Sequence, residues 1–196
     1  MVKGSDKKTV EGAEGIKKFI KGEAEIMYLN YRVAREEYEV MRHYRALTAY
    51  INDPKGTVGG LPRGRILVFE LTLHPEKVDV EVARRWFGYG KGTEDGEVRR
   101  RVSLIAKLYT IGSRLGGEKH EAVRLIEEGH RSRKEEIKFH RGCERYYAAS
   151  ALQKRHRELL RAFSEGSEPL DELERKASVL DSGLKRMEIE STRMPG

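Results

Sequence analysis

From about Thr9 to Asn52, apolar side chains recur at helical spacing. Ala24, Met27, Tyr31, Ala34, Tyr38 and Met41 advance by alternating steps of 3 and 4, and Ile26, Val33, Val40 and Leu47 recur every seven residues beside them. The pattern predicts one long helix with a wide packing face. Asp53-Pro54 closes it, because proline cannot continue a helix and disfavours helical geometry at the residue before it. Gly12, Gly15 and Gly22 weaken the first turns by up to about 1 kcal/mol each relative to alanine. The N-terminal end is therefore expected as a separate helix or as a loose arm that orders on binding.

A Gly- and Pro-rich stretch at 54–64 leads to the run ILVFELTL, Ile66 to Leu73, which predicts a single short strand paired with residues near Thr57-Val58 or with a second copy of the chain. Helices are then expected over Glu76 to Phe87, with Val78, Val82 and Trp86 on one face, and over Glu94 to Gly112, with Val98, Val102, Ile105 and Tyr109 inward. Gly116-Gly117 predicts a break before a helical region from Glu118 to Phe163, which Gly129 or Gly142 can bend or divide. Ser167 reads as an N-cap for a stripe of Leu170, Leu173, Ala177, Leu180, Leu184 and Met187, and Leu152, His156, Leu159 and Phe163 match its period on the preceding helix. The short SEGS connection makes the pair an antiparallel helical hairpin. The fold expected is mainly α, with long amphipathic helices, that C-terminal hairpin and one short β element. Along the chain it divides into a basic arm and long helix (1–53), a loop, strand and two short helices (54–117), and a basic helix with the hairpin (118–196), all within one cooperative unit.

Composition sharpens this picture. Of 196 residues, 38% are hydrophobic and 36% charged, so the core must be narrow and the helices must pack along stripes. Gln153 is the single glutamine, and Asn30 and Asn52 are the only asparagines, a bias expected of thermophile proteins. Cys143 stands alone and excludes an intramolecular disulfide. The first 30 residues hold no apolar region of a secretory signal, and nothing approaches the roughly 20 apolar residues needed to span a bilayer, which predicts an intracellular protein outside the membrane.

The net charge is +7, and residues 97–166, with 17 basic and 10 acidic side chains, carry all of that excess. A concentrated positive footprint is the first sign of a nucleic-acid binder. Arg131, Lys134, Lys138, Arg141 and Arg145 advance by 3, 4, 3 and 4, which predicts five cations on one helix face. Ala122, Ile126, Gly129, Cys143, Tyr147 and Ala151 are expected on the packing side. Glu127, Glu128, Glu135, Glu136 and Glu144 alternate with the stripe, as they would on an ordinary solvated face. Arg99, Arg100 and Arg101 gather at a helix start, where an external anion would relieve their repulsion with the helix dipole. Lys17, Lys18 and Lys21 load the arm. Arg32, Arg35 and Arg42 interleave with Tyr28, Tyr31 and Tyr38, an arrangement that can neutralise phosphates and stack rings on bases, or pack helix on helix.

Enzymatic and metal chemistry finds little support. GYGKGT departs from a phosphate-loop motif, which needs glycine where Arg85 stands and Ser or Thr where Gly92 stands. His140, Cys143, Glu136 and Glu144 lack a second ligand pair. His130-x-x-Arg133 is similar to the HxxR of tyrosine recombinases, but no tyrosine follows Tyr147 to serve as nucleophile. The expectation is a non-enzymatic protein without cofactor or metal that coats or packages nucleic acid, DNA rather than RNA, through phosphates and as an assembly of copies. Its general character resembles nucleoproteins that coat the linear genomes of archaeal viruses. A helix-turn-helix regulator built on 76–87 and 94–111, or an adaptor using the C-terminal leucine stripe, is the alternative.

Overall fold

The computed structural model describes the backbone of residues 3–49, 57–58, 61–62, 80–86, 92–132 and 135–193, and the side chains of 11–39, 80–81, 83–84, 92–132 and 135–190. The described chain is helical: α1 (Lys3–Phe19), α2 (Glu23–Ala49), α3 (Val80–Trp86), α4 (Asp95–Arg131), α5 (Glu136–Glu165) and α6 (Leu170–Arg193). Thr57–Val58 pairs with Leu61–Pro62 as a two-residue antiparallel ladder, Thr57 opposite Pro62 and Val58 opposite Leu61. The strand expected at Ile66 to Leu73 lies outside the described residues, as do 76–79 and 87 of the helix expected over Glu76 to Phe87, whose described part is α3.

Helices α4, α5 and α6 form the scaffold. The α5–α6 hairpin follows the sequence pattern: Leu170, Leu173, Ala177, Leu180, Leu184 and Met187 are buried with Leu159, Leu160 and Phe163 of α5 and with Val98 to Leu115 of α4. The leucine stripe is thus consumed by the chain's own core. Gly166, at φ 60, ends α5 in the left-handed conformation that glycine adopts without a side-chain clash. Ser167, expected to cap α6, instead closes α5, its N–H donating to the Ala162 carbonyl at 3.2 Å. Pro169 then precedes the first turn of α6.

Three boundaries differ from those expected on spacing and propensity. The long helix expected over 9–52 breaks at 20–22, because its two halves pack on different partners. α1 lies on α5 with Ala13 and Ile20 buried, whereas α2 lies on α4 with Ile26, Leu29 and Val33 buried against Ala122, Val123 and Ile126. Of the two expectations for the N-terminal end, the separate helix is the one found: residues 11–20 are packed on α5 rather than held as a loose arm, with Gly12 directly beneath the Tyr147 ring. No break occurs at Gly116-Gly117. α4 runs through it, so the division expected between 117 and 118 falls inside a helix. Leu115, Lys119 and Ala122 are buried on either side of the pair, and that packing outweighs about 1 kcal/mol of helix propensity per glycine.

The break falls instead at 132–135. α4 and α5 turn back on each other there and pack so tightly that glycine is required at the crossing. A Cβ on Gly142 would lie 2.7 Å from the Ile126 nitrogen and 2.8 Å from the Ala122 oxygen, and one on Gly129 would overlap the Phe139 backbone. These two glycines mark helix–helix approach rather than a bend.

Candidate nucleic-acid interface

The turn at 132–135 divides the expected basic stripe. Arg131 ends α4, whereas Lys138, Arg141 and Arg145 belong to α5, so the stripe is not one face of one helix. Of its expected packing side, Ala122, Ile126, Gly129 and Cys143 are buried, Tyr147 is half-buried against α1 and Ala151 is exposed. Lys134 and the side chain of Arg42 lie outside the described residues.

Most of the remaining candidate cations already hold a carboxylate. Arg131 pairs with Glu127 at 2.6 Å, and Lys138 with Glu135 at 2.9 Å and Glu128 at 3.4 Å. Arg145 reaches across to Glu118 of α4 at 2.6 Å. Arg100 grips both Asp171 and Glu174 of α6, which raises its pKa above the ordinary arginine value, and Arg101 pairs with Glu97 at 2.9 Å. Lys17 pairs with Glu14 at 2.7 Å, Arg32 with Glu36 at 3.5 Å and Arg35 with Glu39 at 3.2 Å. Arg99 is exposed and Arg141 half-buried, and each has a further interaction.

The unmatched charge lies on two of the expected cations, Lys18 and Lys21, and on three that the sequence reading did not single out. Lys18 and Lys21, at the α1–α2 corner, and Lys154, Arg155 and Arg157, in the C-terminal half of α5, are exposed and make no hydrogen bond or ion pair among the described residues. The run KRHR at 154–157 was legible in the sequence. What distinguishes Arg157 there is the lack of any carboxylate three or four residues away, the spacing at which helical pairs form. The fourth member, His156, points inward and donates from Nε2 to the Leu108 carbonyl at 2.8 Å.

Between α2, α4 and α5 lies a polar cluster that sequence periodicity did not signal. The fully buried Lys119 donates to Glu36 of α2 and, at 2.8 Å, to Oε1 of Gln153 of α5, and its ammonium sits 4.9 Å from the Tyr146 ring centroid. Burial pushes its pKa below the ordinary lysine value, and the hydrogen bond to Glu36 opposes that shift. The positive charges of Arg32 and Arg157 disfavour the Lys119 charge further.

Tyr28, Tyr31 and Tyr38 are exposed on α2, and Tyr28 meets the Phe19 ring edge-on at 6.1 Å. No group of three or more His, Cys, Asp and Glu able to hold a metal occurs among the described residues, and no helix among them is long and apolar enough to cross a membrane. Comparison with known proteins gives no match to a family, a curated sequence or a solved structure.

Proposed function

We propose that the chain is a non-enzymatic architectural protein that binds nucleic acid, DNA in preference to RNA, through phosphates and without reading sequence, several copies acting together. The observation that carries this reading is the exposed, unpaired group Lys154, Arg155 and Arg157 on α5. Lys18 and Lys21 add to it at the α1–α2 corner. A cation in water exchanges condensed counterions for phosphate at little cost, and release of those counterions drives association. The ion-paired residues of the expected stripe contribute less, since each arrives with a carboxylate that repels the same phosphate.

The test is the salt dependence of binding to random-sequence duplex. Replacing Lys154, Arg155 and Arg157 together with glutamine should flatten the log–log salt slope by roughly 0.9 for each phosphate left unneutralised. The same change at Arg131, Lys138 and Arg145 should alter it less. An unchanged slope in a folded 154/155/157 variant removes this face from the interface, and absence of duplex binding by the wild type removes the reading altogether. Burial of the leucine stripe within the chain supports this reading over the adaptor alternative.

A further inference from the structure

We infer that the outward face of α2 is a homodimer seam, on which the same helix of a second copy packs antiparallel. Ile26, Leu29, Val33 and Glu36 bury the inner side of α2 against α4. The opposite side presents Met27 at 71% exposure, Tyr31 and Tyr38 at 61% each, and exposed Ala24 and Ala34 between them. Ala24, Met27, Tyr31, Ala34 and Tyr38 keep the 3- and 4-residue steps of a helix-pairing face, and inside this chain nothing described packs against it.

The seam is self-complementary. From Met27 to Tyr38 its steps are 4, 3 and 4, the same read from either end. In an antiparallel pair centred between residues 32 and 33, Met27 meets the second copy's Tyr38 and Tyr31 meets its Ala34, so a ring lies over a methyl group and a thioether over a ring. That register also sets the acidic first turn, Glu23 and Glu25, beside the end of the helix where the sequence has Arg42 and Arg45.

Size and charge favour a second copy over nucleic acid on this face. At about 200 Å² for a large side chain, Met27, Tyr31 and Tyr38 together expose on the order of 400 Å². With the two alanines and the flanking stems, two copies would remove about 1,000 Å² from water, the threshold of a specific interface. Between 23 and 39 the helix carries Glu23, Glu25, Glu36, Glu37 and Glu39 against Arg32 and Arg35, both of which are paired, so its field opposes a polyanion. This pairing joins copies of the chain and does not depend on nucleic acid.

The test is the mass of the full chain by light scattering across a dilution series, without nucleic acid. The wild type should have twice the 22.5 kDa chain mass. Tyr31→Glu should be a monomer of unchanged helix content, its dimer weakened by about 100-fold or more through the buried unpaired charge. Should that variant not fold, cross-linking decides: a mixture of Met27→Cys and Tyr38→Cys chains should form a disulfide between copies on mild oxidation. Met27→Cys alone should not, and buried Cys143 stays silent. A wild-type monomer at every concentration overturns the seam. If that monomer loses thermal stability in Tyr31→Glu, another segment of the chain covers the face; if it loses affinity for single strands, the rings stack on bases.

Discussion

Replacing Lys119 with methionine tests the arrangement that fixes α2 on the scaffold. The ammonium is buried, donates to Glu36 and Gln153 and faces the Tyr146 ring. Removing one partner of a buried ion pair costs about 3–5 kcal/mol, mostly because the other charge is left uncompensated. Here the lower figure applies, since Glu36 is 8% exposed and keeps Arg32 at 3.5 Å. A loss of about 3 kcal/mol should appear in urea unfolding as a lower midpoint at unchanged slope, and in heat as a fall of roughly 6–12 °C for a chain of this size. The double variant Lys119→Met/Glu36→Met should recover most of that loss, because a hydrophobic replacement of both charges is close to neutral.

The same pair has a pH signature. Because burial depresses the Lys119 pKa, the unfolded chain holds more protons than the folded one as pH approaches the ordinary 10.5 from below. Stability from this group therefore rises with pH in that window, and the gap between wild type and Lys119→Met should widen there. A single-variant loss under about 1 kcal/mol, or a double variant less stable than the single, would refute the buried bridge.

Leu180→Ala should cost about 2–5 kcal/mol in urea unfolding without changing the chain's oligomeric state, because Leu180 is buried in the core rather than on an assembly surface. Gly142→Ala should destabilise by about 1–3 kcal/mol despite better helix propensity, since the added Cβ meets the backbone of α4 at Ile126 and Ala122 as well as the buried Ile126 side chain. Burial lifts the Cys143 thiol from 9.0 up to about 12, so the unfolded chain releases this proton first and stability falls as pH rises from about 9, by about 1.4 kcal/mol per unit. Cys143→Ala should remove that part of the alkaline loss in unfolding measured at pH 9 and 10.5; an equally steep loss in the variant would contradict the shift.

The helical hairpin was legible because it rests on a local signal: strict 3/4 spacing of leucines, a short connection and a glycine at the turn. The helix boundaries elsewhere were not, because tertiary packing decided them. Gly116-Gly117 looks like a break by propensity and is overruled by buried neighbours on both sides, whereas the true reversal at 132–135 follows a sequence of charged residues with no Pro. On α2 the periodicity was right and its orientation was not deducible: Ala24, Met27 and Tyr31 keep as regular a period as Ile26, Leu29 and Val33, and only the position of α4 tells which set faces inward. The basic stripe is not one helix face for a related reason, since the boundary between α4 and α5 divides it, and spacing along one helix also ignores carboxylates such as Glu118 that arrive from another.

That distinction changes how the chain's positive charge is weighed. A surface ion pair is worth only about 0–1 kcal/mol, so a phosphate could in energy terms displace Glu174 from Arg100 or Glu135 from Lys138. The displaced carboxylate, however, cannot leave: it remains within a few ångströms of the phosphate, unscreened at distances well inside the Debye length of about 8 Å at physiological salt. Each such exchange trades one attraction for another and adds a repulsion. Lys154, Arg155 and Arg157 hold no carboxylate in an ion pair among the described residues, Arg157 has none at pairing distance along the helix, and the charges of Arg32 and Arg157 both disfavour that of Lys119. A phosphate near Arg157 would relieve that repulsion, so anion binding there should raise the Lys119 pKa and stabilise the buried bridge. By the same reasoning, a variant that neutralises Arg157 should favour the charged form of Lys119 even with no nucleic acid present, which unfolding measured as pH approaches 10.5 would read as a smaller gain in stability than the wild type shows.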